Sequence, residues 1–233
     1  MNLLRAAATI SGLTLVSRIL GLVRETLVAS VYGAGALTDA FFVAFRLPNM
    51  LRRLFAEGAF TQAFVPVLAQ SQQHSPEETR RVLDAVATML FWVLTAVVAV
   101  GVLAAPWLVW MVASGLRQDP QTFSIAVLMT RWMFPYILLI SLVALAAAVL
   151  NLWKRFAVPA FAPVLLNISI ILAALFLSPY FDPPVLALAA GVMIGGVLQL
   201  LWQGPSLVRI GMLPRFVLDW RDEGVRRILK LMA

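Results

Sequence analysis

Residues 156–208 read FAVPAFAPVLLNISIILAALFLSPYFDPPVLALAAGVMIGGVLQLLWQGPSLV, and Asp182 is the one charged residue among them. A bilayer core about 30 Å thick takes about 20 apolar residues to cross as a helix, so this stretch is long enough for two passes. Asp182 stands between Pro179 and the pair Pro183 and Pro184, which divide the stretch with a tight turn. The predicted spans are 156–181 and 183–208.

Outward from there, 132–153 and 85–113 also lack Asp, Glu, Lys and Arg and are each long enough to span. The first part of the chain is apolar in bulk but carries Arg18, Arg24, Glu25, Asp39, Arg46, Arg52, Arg53 and Glu57. Two more helices, 6–31 and 36–68, are expected there, divided by Tyr32-Gly33-Ala34-Gly35. The predicted fold is an all-α, polytopic integral membrane protein with six transmembrane helices. Composition agrees: of 233 residues 62% are hydrophobic and 12% charged, whereas a soluble domain has about 25% charged. Mean hydropathy is +0.92. Disorder and a collagen-like fibre are excluded by the apolar content, and a disulfide-stapled fold by the lack of cysteine.

A net charge of +7 could point to nucleic acid, but the cations lie where a membrane protein keeps its cytoplasmic loops. After the second, fourth and sixth spans come Arg80 and Arg81, then Lys154 and Arg155, then Arg209, Arg215, Arg221, Arg226, Arg227 and Lys230. After the first, third and fifth there is only Arg117. By the positive-inside rule both ends of the chain are expected in the cytoplasm. Arg5 ahead of the apolar run Ala6 to Ser17 imitates a signal peptide, but Arg18 interrupts the run and no small-residue cleavage site follows, so it reads as the start of a span.

Charge is distributed unevenly. Between 85 and 208 there are six charged residues, of which only Arg131 falls within a span; between 1 and 63 there are six arginines and three acids, mostly inside predicted spans. An arginine at the bilayer centre costs roughly 2.5–3.5 kcal/mol, so several must face a wet or protein-lined interior. On a helix Ser17, Gly21 and Arg24 share a face, with Arg18 and Glu25 one step round. Asn49, Arg53 and Glu57 form a second stripe, with Arg46 and Arg52 beside it. Every one of these cations is arginine, whose planar fork suits a bidentate anion such as phosphate or pyrophosphate. Two readings stand for Arg53 with Glu57 and for Arg18 with Glu25: anion-binding cavity, or structural ion pairs between helices. Arg46, near a helix end, fits snorkelling to the interface.

Other motifs carry less. His74, the only histidine, lies in a polar loop, so no histidine-based metal site or triad can form, and the sequence calls for no metal and no cofactor. Gly33-Ala34-Gly35 is a turn rather than a nucleotide loop. Asn167-Ile168-Ser169 fits a glycosylation acceptor but sits inside a span. Gly191 and Gly195, with Gly196 adjacent, predict close helix packing within the monomer. Glu77-Glu78 and Asp222-Glu223 lie in loops, and no acidic cluster of a magnesium-dependent prenyl-phosphate transferase is present. Trp92, Trp107, Trp110, Trp132, Trp153 and Trp202 are expected towards span ends as an interfacial belt, and Pro48, Pro66, Pro106 and Pro135 as helix kinks. Beyond Val208, Val225, Ile228, Leu229 and Met232 recur at helical spacing among basic residues, so 206–233 reads as a basic amphipathic cytoplasmic linker, with an interfacial helix and the start of a further span both open.

The run Thr38-Asp39-Ala40-Phe41-Phe42-Val43-Ala44-Phe45-Arg46-Leu47-Pro48-Asn49, continued by Leu51-Arg52-Arg53 and Phe55-Ala56-Glu57-Gly58-Ala59-Phe60, resembles the signature of the MurJ (MviN) family of bacterial lipid II flippases. Ser17-Arg18-Ile19-Leu20-Gly21 with Arg24, Phe134 to Ser141 and Pro159 to Asn167 match as well, so the resemblance covers the whole chain. It implies membership of the multidrug/oligosaccharidyl-lipid/polysaccharide exporter superfamily, in the bacterial inner membrane. The implied activity is transport, with no covalent chemistry: lipid II, an undecaprenyl-pyrophosphate glycopeptide, is flipped by alternating access for cell wall synthesis. The resemblance also implies that Arg18, Arg24 and Arg52 bind substrate in a central cavity, and that Asp39, Asn49 and Glu57 are functionally sensitive. With Ser17 and Arg53 these make the expected supporting set.

The resemblance further implies fourteen helices with two six-helix lobes, of which this chain would match one lobe, 1–205, and the linker. The partners implied are lipid II, membrane lipids and the missing C-terminal lobe, with no nucleic acid. The alternative is an exporter of the same fold for another polyprenyl-linked saccharide or a small molecule; the arginine excess argues against a cationic drug.

Overall fold

The computed structural model describes residues 3–52 and 59–215, and every regular element among them is helical. In order these are α1 (Leu3–Tyr32), α2 (Ala36–Arg52), α3 (Ala59–His74), α4 (Pro76–Leu103), α5 (Ala105–Val112), α6 (Pro120–Met133), α7 (Tyr136–Leu152), α8 (Ala157–Leu172) and α9 (Leu186–Arg209). Five helical stretches among the described residues are long and apolar enough to cross a bilayer: Ala7–Tyr32, Pro76–Leu103, Pro120–Leu152, Ala157–Tyr180 and Leu186–Arg209. The polytopic all-α fold is thus as expected. The second predicted span, 36–68, is represented by α2 and α3, whose 17 and 16 residues are each short for a crossing.

The span boundaries move where charge alone set them. The third span starts at Pro76 rather than 85, because Ser75 caps α4: its hydroxyl accepts the Glu78 N–H at 3.0 Å, and Pro76 takes the first-turn position where no donor is needed. The fourth starts at Pro120 rather than 132. Asp119 accepts the Gln121 and Thr122 N–H groups and the Thr122 hydroxyl, and these bonds hold its carboxyl below the ordinary carboxylate range. The helix then runs through Arg131, exposed on its outer side, and breaks at Phe134 and Pro135 before α7. Buried Thr130 is accommodated there by donating back to the Ala126 carbonyl.

Of the expected proline kinks, Pro106 follows the break at Ala104 and Pro135 the break before α7, while Pro48 and Pro66 lie inside helices. The tryptophan belt is only partly realised. Trp92 is in the middle of α4 and Trp132 beside the α6–α7 break, both facing outward.

α8 and α9 pack closely and antiparallel, as Gly191 and Gly195 predict. A Cβ on Gly191 would stand 2.7 Å from the Ala173 Cβ and 3.1 Å from the Ile170 Cα; one on Gly195 would stand 2.7 Å from Leu166 Cδ1. Farther along the same stripe, Gln199 Nε2 donates to the Ala162 carbonyl at 2.9 Å, and Trp202 Nε1 donates to the Val158 carbonyl at 3.1 Å. α1 runs parallel to α8: Ser178 donates to the Ala174 carbonyl, which leaves the Tyr32 hydroxyl to donate to Ser178 where the two helices end together. First and fifth spans must run in the same direction if each loop reverses the chain, and they do.

Candidate functional site

α1 is helical from Leu3 to Tyr32 but buries little of itself; it lies chiefly against α8, with Ile19 and Leu22 exposed on its outer surface. The polar residues of α1 meet α8 at Asn167. Arg24 Nη1 donates to Asn167 Oδ1 at 3.1 Å, and Asn167 Nδ2 donates to the Ser17 carbonyl at 3.1 Å and reaches the Ser17 hydroxyl at 3.5 Å. The amide orientation follows from its partners, since a guanidinium only donates and a carbonyl only accepts. Gly21 lies between Ser17 and Arg24, and a Cβ there would touch the amide at 4.0 Å. The remaining donors of Arg24 turn the other way, with Nη2 on Glu25 Oε1 at 3.0 Å.

The two partners of Arg24 differ in kind. The Arg24 side chain is 19% exposed and Glu25 61%, so the Glu25 carboxylate is a surface group that a competing anion can replace, whereas Asn167 is buried. Of the two readings left open for Arg18 with Glu25, the ion pair between them is not formed: Glu25 is paired with Arg24. Arg18 and Glu25 are two turns apart, about 10 Å along the axis, too far for an easy contact. Arg18 is exposed and outside the Asn167 cluster.

In α2, Asp39 is exposed in the first turn and Asn49 half-buried. Arg52 is the last residue of that helix, and its side chain is outside the described part, as are Arg53 and Glu57 altogether. The structure therefore joins Ser17 and Arg24 through Asn167. What the site can do chemically is hold an anion: it offers a guanidinium with donors to spare, fixed in a membrane-spanning helix, and among the described residues no arrangement of nucleophile and base accompanies it.

Two residues escaped the sequence reading. Asn167 stood in the sequence as a false glycosylation site and as the end of the matching run from Pro159, without a role, because an uncharged amide in a span gives no charge signal. Asp84, buried in α4, accepts the Arg215 N–H at 2.7 Å and so ties the chain beyond α9 back onto α4. Its place just outside the charge-free stretch made it look like loop.

A family model described as Lipid II flippase MurJ matches residues 28–233. The chain belongs to the MurJ family. The Lipid II flippase MurJ of Burkholderia cenocepacia is 53% identical over 238 residues, which cover 100% of this chain and 46% of that relative. The probable lipid II flippase MurJ of Vibrio cholerae is 43% identical over 241 residues, covering 99% of this chain and 46% of its own. A solved structure described as Lipid II flippase MurJ, inward closed conformation, superposes with a TM-score of 0.75 at 28% identity, over 96% of this chain and 46% of that one. The chain thus spans a little under half the length of the MurJ proteins it matches.

Proposed function

We propose that the protein to which this chain contributes flips lipid II from the cytoplasmic to the periplasmic leaflet of the bacterial inner membrane by alternating access, for cell wall synthesis. The observation that carries the reading is Arg24, a partly buried guanidinium inside a membrane-spanning helix, held among the described residues by buried Asn167 on one side and by the exposed Glu25 carboxylate on the other. A fixed cation with exchangeable anion contacts suits a pyrophosphate that must bind and then leave.

In this reading Arg18, Arg24 and Arg52 hold the pyrophosphate, and Ser17, Asp39, Asn49, Arg53 and Glu57 support the cavity. Residues 1–205 form one lobe, residues 206–233 lead to the second, and both ends of the chain are cytoplasmic. Rocking of the two lobes exposes the headgroup first to one side and then to the other, with no bond made or broken. Translocation of labelled lipid II by the full-length protein in proteoliposomes tests this directly. Transport is expected for the unaltered protein and loss for Arg24→Ala. A full-length protein that inserts but moves no lipid II would overturn the assignment.

A further inference from the structure

A long arginine side chain loses much rotamer freedom when it binds a ligand, and binding is tighter when another group has already fixed it. Asn167 is in a position to do this. Its Oδ1 takes one N–H of Arg24, while its Nδ2 is held by the backbone carbonyl of Ser17, two turns back on the same helix. Both ends of the amide are engaged, and the residue is 7% exposed, so the anchor is itself held in place. The second partner of Arg24 among the described residues, Glu25, sits on the exposed side of the helix.

We infer that Asn167 is a positioning residue for diphosphate recognition: it fixes Arg24 on the α8 side, so that an incoming diphosphate displaces Glu25 from Nη2 while Nη1 stays in place. The inference rests on the reading of Arg24 as a pyrophosphate ligand. It also explains why the residue is an amide. The position must accept from a guanidinium and donate to a carbonyl at once; aspartate has no donor for Ser17 and would neutralise Arg24 as well, and leucine has neither function.

The experiment is a double-mutant cycle on the purified full-length protein, with undecaprenyl diphosphate as the probe and its dissociation constant as the readout. Asn167→Ala is expected to weaken binding about tenfold, within the range of coupling between residues in one hydrogen-bond network. In an Arg24→Ala background the same substitution should change little, because the group it positions has gone. A purely structural role for Asn167 predicts similar losses in both backgrounds, and that result overturns the inference. Asn167→Asp, which preserves side-chain volume, is the second variant. It should bind at least as poorly as Asn167→Ala, and wild-type affinity in Asn167→Asp also overturns the inference. If Arg24→Ala alone leaves the dissociation constant unchanged, the pyrophosphate reading of the site fails, an outcome distinct from failure of the Asn167 inference alone.

Discussion

Arg24 is accommodated inside a span because two side chains offset the cost of its desolvation, one of them buried and neutral. A neutral amide stabilises the guanidinium without cancelling its charge, leaving the positive potential available to a ligand. Lysine at the same place would retain the charge but present a single ammonium, which cannot hold the amide and two phosphate oxygens at once in fixed directions. Arg24→Lys in the full-length protein is therefore expected to lose most function at unchanged abundance in the membrane. Complementation of a strain depleted of its flippase, with immunoblotting of the membrane fraction, checks both. Growth equal to wild type would mean that positive potential alone suffices. Arg24 itself was legible because a cation in an apolar run is conspicuous. Its partner was not, since the contact with Asn167 joins residues 143 positions apart and no charge marks the second.

At the scale of elements, the pairing of α8 with α9 depends on glycines whose missing side chains let the backbones meet. Gly195→Ala would drive a methyl into Leu166, where both a side-chain carbon and the Cα are near, and is expected to lower stability by about 1–3 kcal/mol. Gly204, on the same helix, has nothing within 4 Å of an added Cβ, so Gly204→Ala should be close to neutral or mildly stabilising. Thermal unfolding of the two variants in detergent separates the cases. The start of α6 makes a different prediction. Hydrogen bonds from Thr122 and Gln121 lower the pKa of Asp119, so this cap contributes fully above the ordinary carboxylate range and is lost as pH falls through the lowered value. Asp119→Asn, which retains a capping oxygen, should show less acid sensitivity than the parent when melting is followed across that range. The glycine stripe was readable from spacing alone. The starts of α4 and α6 were displaced because a search for charge-free runs stops at the first ionised group, while caps at Ser75 and Asp119 carry the helices further.

At the scale of the whole molecule, parallel packing of α1 on α8 and antiparallel packing of α8 on α9 satisfy an alternating chain but leave its absolute direction to the loop charges. With no native cysteine, single cysteines can be placed without background. An impermeant thiol reagent applied to spheroplasts is expected to label Gln118→Cys and Tyr180→Cys, and to spare Gln73→Cys and Phe156→Cys; labelling at 73 from outside would reverse the orientation. The distribution of polarity also bears on autonomy. α1 is covered mainly by α8, and its outer surface carries exposed Ile19 and Leu22 together with Arg18, a mixture that neither lipid nor water solvates well. The 233-residue chain is accordingly expected to insert into the membrane but not to transport, because alternating access needs a second wall to close on the arginine-bearing side. Co-expression with the C-terminal half of a MurJ relative should restore lipid II translocation if the two lobes dock without a covalent link, while either half alone stays inactive. Complementation by the 233-residue chain alone would instead require two copies to face each other across the cavity, and crosslinking between copies through a cysteine at Arg18 would then be the diagnostic result.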